Sequence, residues 1–197
     1  AISAAMDRAI TTLRAGPVRI TTPDGTDLTF RIGNRPFNKQ DGDASAERMK
    51  AAKVRVDREI ELPVGVLRVA PLEDSVNGHL AIPYARLDGA IVSGITLTFT
   101  KGKLTAFSAT ENEEALKAYL DRHGDPARAF REIGLGFNPR LAPAYGALPY
   151  FAYGSGLVRM SLGDNEELGG AVRGGFRRWF FFPNAKIEVK GKPLLVP

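Results

Sequence analysis

The sequence contains no cysteine and only two histidines among its 197 residues. Disulfide bonds, cysteine-ligated zinc and thiol catalysis are therefore excluded, and a histidine-rich metal site cannot be built within this chain. No run of about 18 consecutive apolar residues is present, which argues against a membrane span. Asp7 and Arg8 place charge close to the start, which argues against an intact signal peptide. The absence of cysteine is compatible with the cytoplasm, where we expect the protein to be located.

The charge is modestly basic, because 27 Lys and Arg residues against 22 Asp and Glu residues give a formal net charge of +5. The apolar content of 44% and the charged content of 25% are those of globular proteins. A collagen-like repeat and a disordered chain are therefore excluded. We predict a single domain over 1–197, since domains typically have about 100 to 200 residues. A helix and a hairpin would form a first lobe at 1–58, and the rest a second lobe at 59–197.

Apolar periodicity predicts a mixture of helices and strands. Apolar residues at helical spacing behind Ser3, taken as the N-cap, predict an amphipathic helix over 3–15. Two alternating runs at 18–22 and 28–32 predict a β-hairpin, since the Asp-Gly pair between them supplies positive φ angles. Further strands are predicted at 65–70, 79–82, 91–100, 103–108, 157–162, 176–182 and 185–189, and further helices at 46–53, at 110–124 and from Pro126. This mixture predicts the α+β class, with a largely antiparallel sheet or open barrel packed by two or three helices.

The two histidines are interpreted as structural. His123 lies between Asp121 and Asp125, but this spacing places the group at the end of a predicted helix. The helix dipole favours a histidine there, and Asp125 can cap the next helix. His79 is interpreted as a strand or turn residue. Neither histidine is therefore expected to act in catalysis.

Phosphate, serine and nucleic-acid chemistry are also disfavoured. The segments at 33–36 and 169–170 contain glycine but do not join a strand to a helix as phosphate-binding loops do. Ser155 and Ser161 have no histidine near them in sequence. The basic, aromatic stretch at 173–182 has the composition of a base-stacking surface, but the net charge is small and the Phe run is typical of a buried strand. We expect no nucleic acid and no membrane as partner.

Several motifs, in order along the chain, resemble those of one family. They are the segments 18–30, 62–71, 73–78, 132–139, 162–165 and 169–170. Together they resemble the thermophilic-aminopeptidase family of metallopeptidases, related to the leucyl aminopeptidases in activity, and in the same way the ring-cleaving dihydroxypyridine dioxygenases that share its scaffold. The likeness spans nearly the whole chain and corresponds to the C-terminal, metal-carrying half of a family member.

The resemblance also implies where a metal cluster would be held. The five ligand positions of the family correspond here to Val66, Glu132, Arg159, Arg177 and Trp179. A guanidinium cannot coordinate a divalent metal, and neither Val nor Trp offers a ligand atom. Only Glu132 keeps a ligand side chain. We therefore expect no metal, no other cofactor and no catalytic residue at these positions.

The substitutions suggest that ion pairs replace the metal. A buried Glu132 facing Arg159 and Arg177 would have its charge satisfied by bidentate bonds. The leading hypothesis is an aminopeptidase-like domain that has lost metal catalysis and acts as a scaffold, an interaction module or a binder of an anionic small molecule or peptide carboxylate. Two alternatives stay open. One is a metal-dependent aminopeptidase whose ligands come from another chain or from a missing N-terminal half, and the other is a metal-free enzyme that binds a carboxylate substrate.

Aromatic residues in the last third predict self-association. Tyr150, Phe151, Tyr153 and the run at 180–182 are more aromatic surface than a monomer of this size is expected to cover. The family resemblance also implies a dimer. We therefore expect a homo-oligomer.

Overall fold

The computed structural model describes residues 1–53, 55–141 and 153–194, apart from the side chain of residue 55. Its α-helices are α1 (Ile2–Arg14), α2 (Ala46–Ala51) and α3 (Glu113–Ala127). Its strands are β1 (Val18–Thr21), β2 (Asp27–Phe30), β3 (Asn38–Gln40), β4 (Val66–Val69), β5 (Asn77–Leu87), β6 (Ala90–Thr100), β7 (Lys103–Ser108), β8 (Phe130–Gly136), β9 (Val158–Gly163), β10 (Arg177–Phe182), β11 (Lys186–Val189) and β12 (Lys192–Pro193). Within these ranges, no helix is long and apolar enough to cross a bilayer.

The strands form two antiparallel sheets. The seven-stranded sheet has the order β12-β11-β1-β2-β5-β6-β7, and the five-stranded sheet has the order β10-β9-β8-β4-β3. Neither sheet closes on itself. The predicted α+β class, with largely antiparallel strands packed by two or three helices, is confirmed.

The core lies between the two sheets. Phe30 and Phe99 of the seven-stranded sheet both contact Phe130 of the five-stranded sheet, with ring centroids 6.3 and 5.9 Å apart. All three rings are almost completely buried. Large aromatic side chains that meet across two sheets bury much apolar area, which is the main contribution to stability in such a layered fold.

Helix α1 covers one part of this core, as its sequence predicts. Its buried residues Met6, Ala9 and Leu13 follow the i, i+3, i+7 spacing of one helix face. The prediction that Ser3 is the N-cap is wrong, because the helix begins at Ile2 after Ala1. The Ser3 hydroxyl instead bonds the Asp41 carboxylate, which stands in the loop after β3.

The strand predictions hold, with one longer strand and three additional strands. The hairpin of β1 and β2 forms around Gly25, whose φ of +102° requires glycine. Strand β5 runs through Pro83 to Leu87, beyond the predicted end at 82, because proline is tolerated where it need not donate a ladder bond. The sequence does not predict strands β3, β8 and β12: β3 and β12 have only three and two residues, and β8 is fully buried and rich in glycine.

The last helix contains the predicted break. Gly124 has φ of +63°, and the helical turn that resumes at Pro126 forms a second segment. The ring of His123 packs against Tyr119 and Phe176, with centroids 4.7 Å from each. Asp121 forms an ion pair with Arg128 at 2.6 Å. The structural interpretation of this histidine is therefore supported by its contacts.

The aromatic residues near the C-terminus are less exposed than the sequence suggests. Phe180 and Phe182 point into the core and are 7% and 3% exposed, whereas Phe181 between them is 38% exposed. The expectation that all three form surface is therefore wrong for two of them, because alternate residues of a strand face opposite sides. Tyr150 and Phe151 lie outside the described residues.

Candidate functional site

One face of the five-stranded sheet carries all five positions that the resemblance assigns to metal ligands. Across the strands, Glu132 pairs with Ser161 and Ser161 pairs with Trp179, so their side chains share this face. The other three positions follow from strand alternation. Arg159 lies two residues before Ser161 in β9, and Arg177 lies two residues before Trp179 in β10. Val66 of β4 pairs with Gly136 at the far end of the same face. The opposite face of the sheet packs into the core.

Glu132 is the centre of this face and is completely buried. Arg68 donates hydrogen bonds to both carboxylate oxygens, from Nε to Oε1 at 3.2 Å and from NH2 to Oε2 at 2.9 Å. Arg159 donates from NH2 to Oε1 at 3.2 Å, and Arg131 donates to Oε2. The indole Nε1 of Trp179 lies 3.4 Å from Oε1. The carboxylate is thus enclosed by three guanidiniums, and the predicted contact with Arg159 is confirmed.

These arginines keep the Glu132 carboxylate negatively charged by lowering its pKa. Burial alone would raise the pKa of Glu132, because it disfavours the charged form. The positive charges of Arg68, Arg131 and Arg159 outweigh burial and lower the pKa of Glu132 to about 2. The Glu132 charge in turn raises the pKa of Arg68 despite burial. The carboxylate is therefore ionised at neutral pH.

A β-bulge brings Arg131 to this site. The register between β8 and β9 shifts between Phe130 and Glu132, so Arg131 is the extra residue. Such an insertion turns a side chain toward the face that its neighbour occupies. The Arg131 side chain is fully buried, donates from Nε to the Asp164 carbonyl at 2.6 Å and lies 5.5 Å above the Trp179 ring.

An outer layer of charged groups surrounds these contacts. Arg68 also pairs with Glu61 at 2.9 Å and with Glu167 at 2.7 Å. The predicted bond between Arg177 and Glu132 is not formed: Arg177 pairs with Glu167 at 2.9 Å. Tyr153 donates to Glu61 at 2.9 Å, and burial together with this carboxylate raises the pKa of Tyr153 to about 12. We call Arg68, Arg131, Arg159, Arg177, Glu61, Glu132 and Glu167 the arginine cluster.

The arginine cluster is nearly neutral. Its four guanidiniums and three carboxylates leave a formal excess of one positive charge, and the outermost member, Arg177, has a side chain that is 40% exposed. Two polar atoms of this face, Arg159 Nε and Ser161 Oγ, are buried without a hydrogen-bond partner in the part of the chain that the structure describes. Most of the charge is therefore satisfied internally.

Comparison with known proteins identifies the family. The family model for thermophilic metalloproteases, M29, matches residues 3–142. The chain belongs to the M29 family. Its fold is similar to that of 2,5-dihydroxypyridine dioxygenase from Pseudomonas putida KT2440, with 21% identity and a TM-score of 0.72. It is also similar to wild-type AmpT from Thermus thermophilus, with 20% identity and a TM-score of 0.61.

The two solved structures are longer than this chain. The similarity to the dioxygenase covers 98% of this chain and 57% of that one, and the similarity to AmpT covers 94% and 50%. This chain therefore spans about half the length of either protein. No curated protein matches the sequence.

The residues on this face do not fit the metal that the M29 family implies. Among the described residues, no group of three histidine or carboxylate side chains is arranged to hold an ion. Glu132, the one carboxylate at the five positions that the resemblance assigns to ligands, has its oxygens occupied by guanidinium N–H groups. A divalent cation placed there would also be repelled by three guanidiniums within a few ångströms, where burial weakens screening.

The arginines of the basic stretch near the C-terminus all contact other groups of the protein. Arg173 pairs with Glu166 at 2.9 Å, and Arg177 pairs with Glu167. Arg178 donates to the carbonyl of residue 86 at 2.8 Å. Trp179 is half-buried and lies on the face that carries the arginine cluster.

Proposed function

We propose that this chain is an M29-family domain without metal catalysis, in which the arginine cluster takes the place of the metal centre and the domain acts as a scaffold or interaction module. The observation that carries the proposal is the enclosure of the buried Glu132 carboxylate by Arg68, Arg131 and Arg159. Buried charges are tolerated when they are paired and hydrogen-bonded, so these arginines can balance a carboxylate that would otherwise need a cation.

The same contacts argue against hydrolysis at this site. Metal-dependent peptidases use a metal ion to generate a nucleophilic hydroxide at neutral pH. Glu132 cannot replace that function as a general base, because its low pKa makes it a weak base and its oxygens are occupied. Glu61 is likewise bonded to Arg68 and Tyr153. The aminopeptidase alternative would require ligands from outside the described residues.

We predict that the purified protein holds no stoichiometric zinc, cobalt, manganese or iron. The chelator EDTA should leave its melting temperature unchanged, because the charge of Glu132 is balanced by arginine. Elemental analysis and a thermal melt measure the two quantities. Tightly bound metal in a one-to-one ratio, together with cleavage of aminoacyl substrates that EDTA abolishes, would instead establish the aminopeptidase alternative.

A second candidate function is the binding of a small carboxylate. It is favoured by the excess positive charge, by the partial exposure of Arg177 and by the unpartnered Nε of Arg159. Such a ligand would add the one negative charge that the arginine cluster lacks. A metal-free enzyme acting on a carboxylate substrate would use the same groups.

Arg159→Ala separates the scaffold from the carboxylate binder. In the scaffold, loss of this bond to Glu132 should lower the free energy of unfolding by about 2 kcal/mol. In the binder, the wild type should bind a dipeptide such as Ala-Ala in calorimetry, and Arg159→Ala should abolish this binding as well as lower stability, because the bond to Glu132 is lost in either case. Arg19→Ala is the control, because this exposed arginine pairs with Asp27 and should change stability by less than about 1 kcal/mol. If Arg159→Ala changed neither stability nor binding, both functions would be wrong.

Self-association and the cytoplasmic location stay predictions. Exposed apolar side chains outside the core include Leu62 at 74% and Tyr84 at 72%. They are separate from the C-terminal aromatic run on which the sequence argument relied. We propose a homo-oligomer on these grounds.

A further inference from the structure

A groove on a different part of the molecule is surrounded by positive charge. It lies where the end of α1 meets the loops after β2 and β11, and its volume is about 420 Å³. Arg14, Arg31 and Lys190 are its charged residues, and Pro17, Gly33 and Leu72 are among its uncharged ones. None of the described residues that line it is acidic. We call this feature the basic groove.

The three cations of the basic groove lack acidic partners. In the ranges 1–53, 55–141 and 153–194, none of them has a carboxylate within ion-pair distance. Arg35, the next arginine in the sequence after Arg31, differs from these three cations because it forms an ion pair with Glu73. Like charges held around one cavity repel each other, and an anion bound between them would relieve this repulsion.

The end of α1 accounts for part of this charge. A cation near a helix C-terminus is favoured by the helix dipole, and Arg14 is the last residue of α1. Lys190 also lies there, since its Cε is 2.5 Å from the position that a Cβ on Gly16 would occupy. Arg31 follows β2 and does not lie at the end of a helix. The dipole therefore does not explain the third cation.

The fold fixes the Arg14 guanidinium and the backbone that carries Arg31, whereas the side chains of Arg31 and Lys190 are exposed. The Arg14 guanidinium donates to the Arg35 carbonyl at 3.3 Å and lies 5.3 Å from the centre of the Phe37 ring. The backbone of Arg31 is fixed on both sides, since its N–H donates to Ser75 Oγ at 2.9 Å and its carbonyl accepts from the Leu72 N–H at 2.8 Å. Less reorganisation of Arg14 and of the Arg31 backbone is then needed when an anion binds.

We propose that the basic groove binds a small molecule that carries two or more negatively charged oxygen groups. Its volume lies within the range of small-molecule sites, about 300 to 1,000 Å³. Guanidinium forks match the planar geometry of carboxylate and phosphate oxygens, and Lys190 adds a compact third charge. Leu72 and Pro17 offer apolar contact to the body of the ligand. This site is independent of the arginine cluster.

Calorimetry with two probes tests the proposal on the whole chain. Pyrophosphate represents a phosphate ligand and citrate a carboxylate ligand, both titrated in about 0.15 M salt so that weak surface attraction is screened. We expect saturable one-to-one binding of at least one probe, and the tighter one identifies the class of oxyanion. The double variant Arg31→Gln/Lys190→Gln should weaken that binding by at least about tenfold.

Two controls make the result decisive. Lys186→Gln removes an exposed positive charge from β11 outside the basic groove, and it should leave the affinity unchanged. The single variant Arg31→Gln should weaken binding by an intermediate factor, and circular dichroism verifies that each variant is folded. Absence of saturable binding by both probes, or equal weakening in Lys186→Gln, would overturn the proposal.

Discussion

Replacing Glu132 with glutamine is expected to lower the free energy of unfolding by about 3 to 5 kcal/mol. The amide keeps the shape of the side chain but removes the only charge that all three buried guanidiniums share. The NH2 group of the glutamine would also face the guanidinium N–H groups, which are donors themselves and cannot accept a hydrogen bond from it. Removing one member of a buried ion pair leaves an uncompensated charge away from water, which costs far more than losing a surface pair.

Urea denaturation measures this change, with Asp27→Asn as the matched control. Asp27 also binds a guanidinium with both oxygens, from Arg19 at 2.8 and 2.6 Å, but both side chains are exposed. We expect less than about 1 kcal/mol from this substitution. Equal and small losses in the two variants would contradict the assignment of Glu132 as the centre of a buried ion-pair cluster.

Acid should weaken the fold through the same carboxylate. The pKa of Glu132 is lowered from an ordinary value of 4.5 to about 2 in the folded protein. A group whose pKa is depressed by folding stabilises the native state above its unfolded pKa and loses that contribution as the pH falls toward its folded pKa. We expect a loss of about 3 kcal/mol between pH 4.5 and about pH 2 from this group alone.

Comparison with Glu132→Gln isolates this contribution from those of other carboxylates. Asp27, Asp121 and Asp164 also have lowered pKa values, so the total stability of both proteins falls in acid. The stability gap between wild type and variant should close as the pH decreases from 4.5 to about 2, because protonated Glu132 resembles glutamine. A gap that stays constant over this range would show that Glu132 does not titrate as the structure requires.

The local elements of this fold were largely predictable from the sequence. Alternation and the Asp-Gly turn predicted the first hairpin, and helical spacing predicted α1 to within one residue at each end. The exceptions have different physical reasons. Strand β8 is buried on both faces, so the alternation that reveals a half-exposed strand is missing. The prediction of an N-cap at Ser3 was wrong, and the Ser3 hydroxyl instead forms a tertiary hydrogen bond with Asp41.

The site was predictable only where motifs and alternation agree. Glu132 and Arg159 follow from the family motifs, and their contact is present. Arg68 lies two residues after Val66 on the same strand, so alternation alone indicates that it shares this face. The position of Arg131 could not be predicted from the sequence. In a regular strand its side chain would lie on the opposite face, and only the bulge brings it beside Glu132.

The acidic partners lie in irregular segments. Glu61 precedes β4, and Glu167 belongs to the short 3-10 turn at Glu166–Leu168. No periodicity connects such residues to a distant strand. Their pairing with Arg68 depends on tertiary contacts across 7 and 99 residues of sequence, respectively.

Trp179 gives the arginine cluster a built-in optical signal. It is the only tryptophan in the chain. Its indole bonds Glu132, and the guanidinium carbons of Arg131 and Arg159 lie 5.5 and 5.8 Å from its ring centre. Nearby charges shift the energy of an indole excited state, so the ultraviolet emission of the unmodified protein reports on this one location. Fluorescence can therefore follow the loss of the ion pairs separately from the loss of secondary structure, without an attached dye.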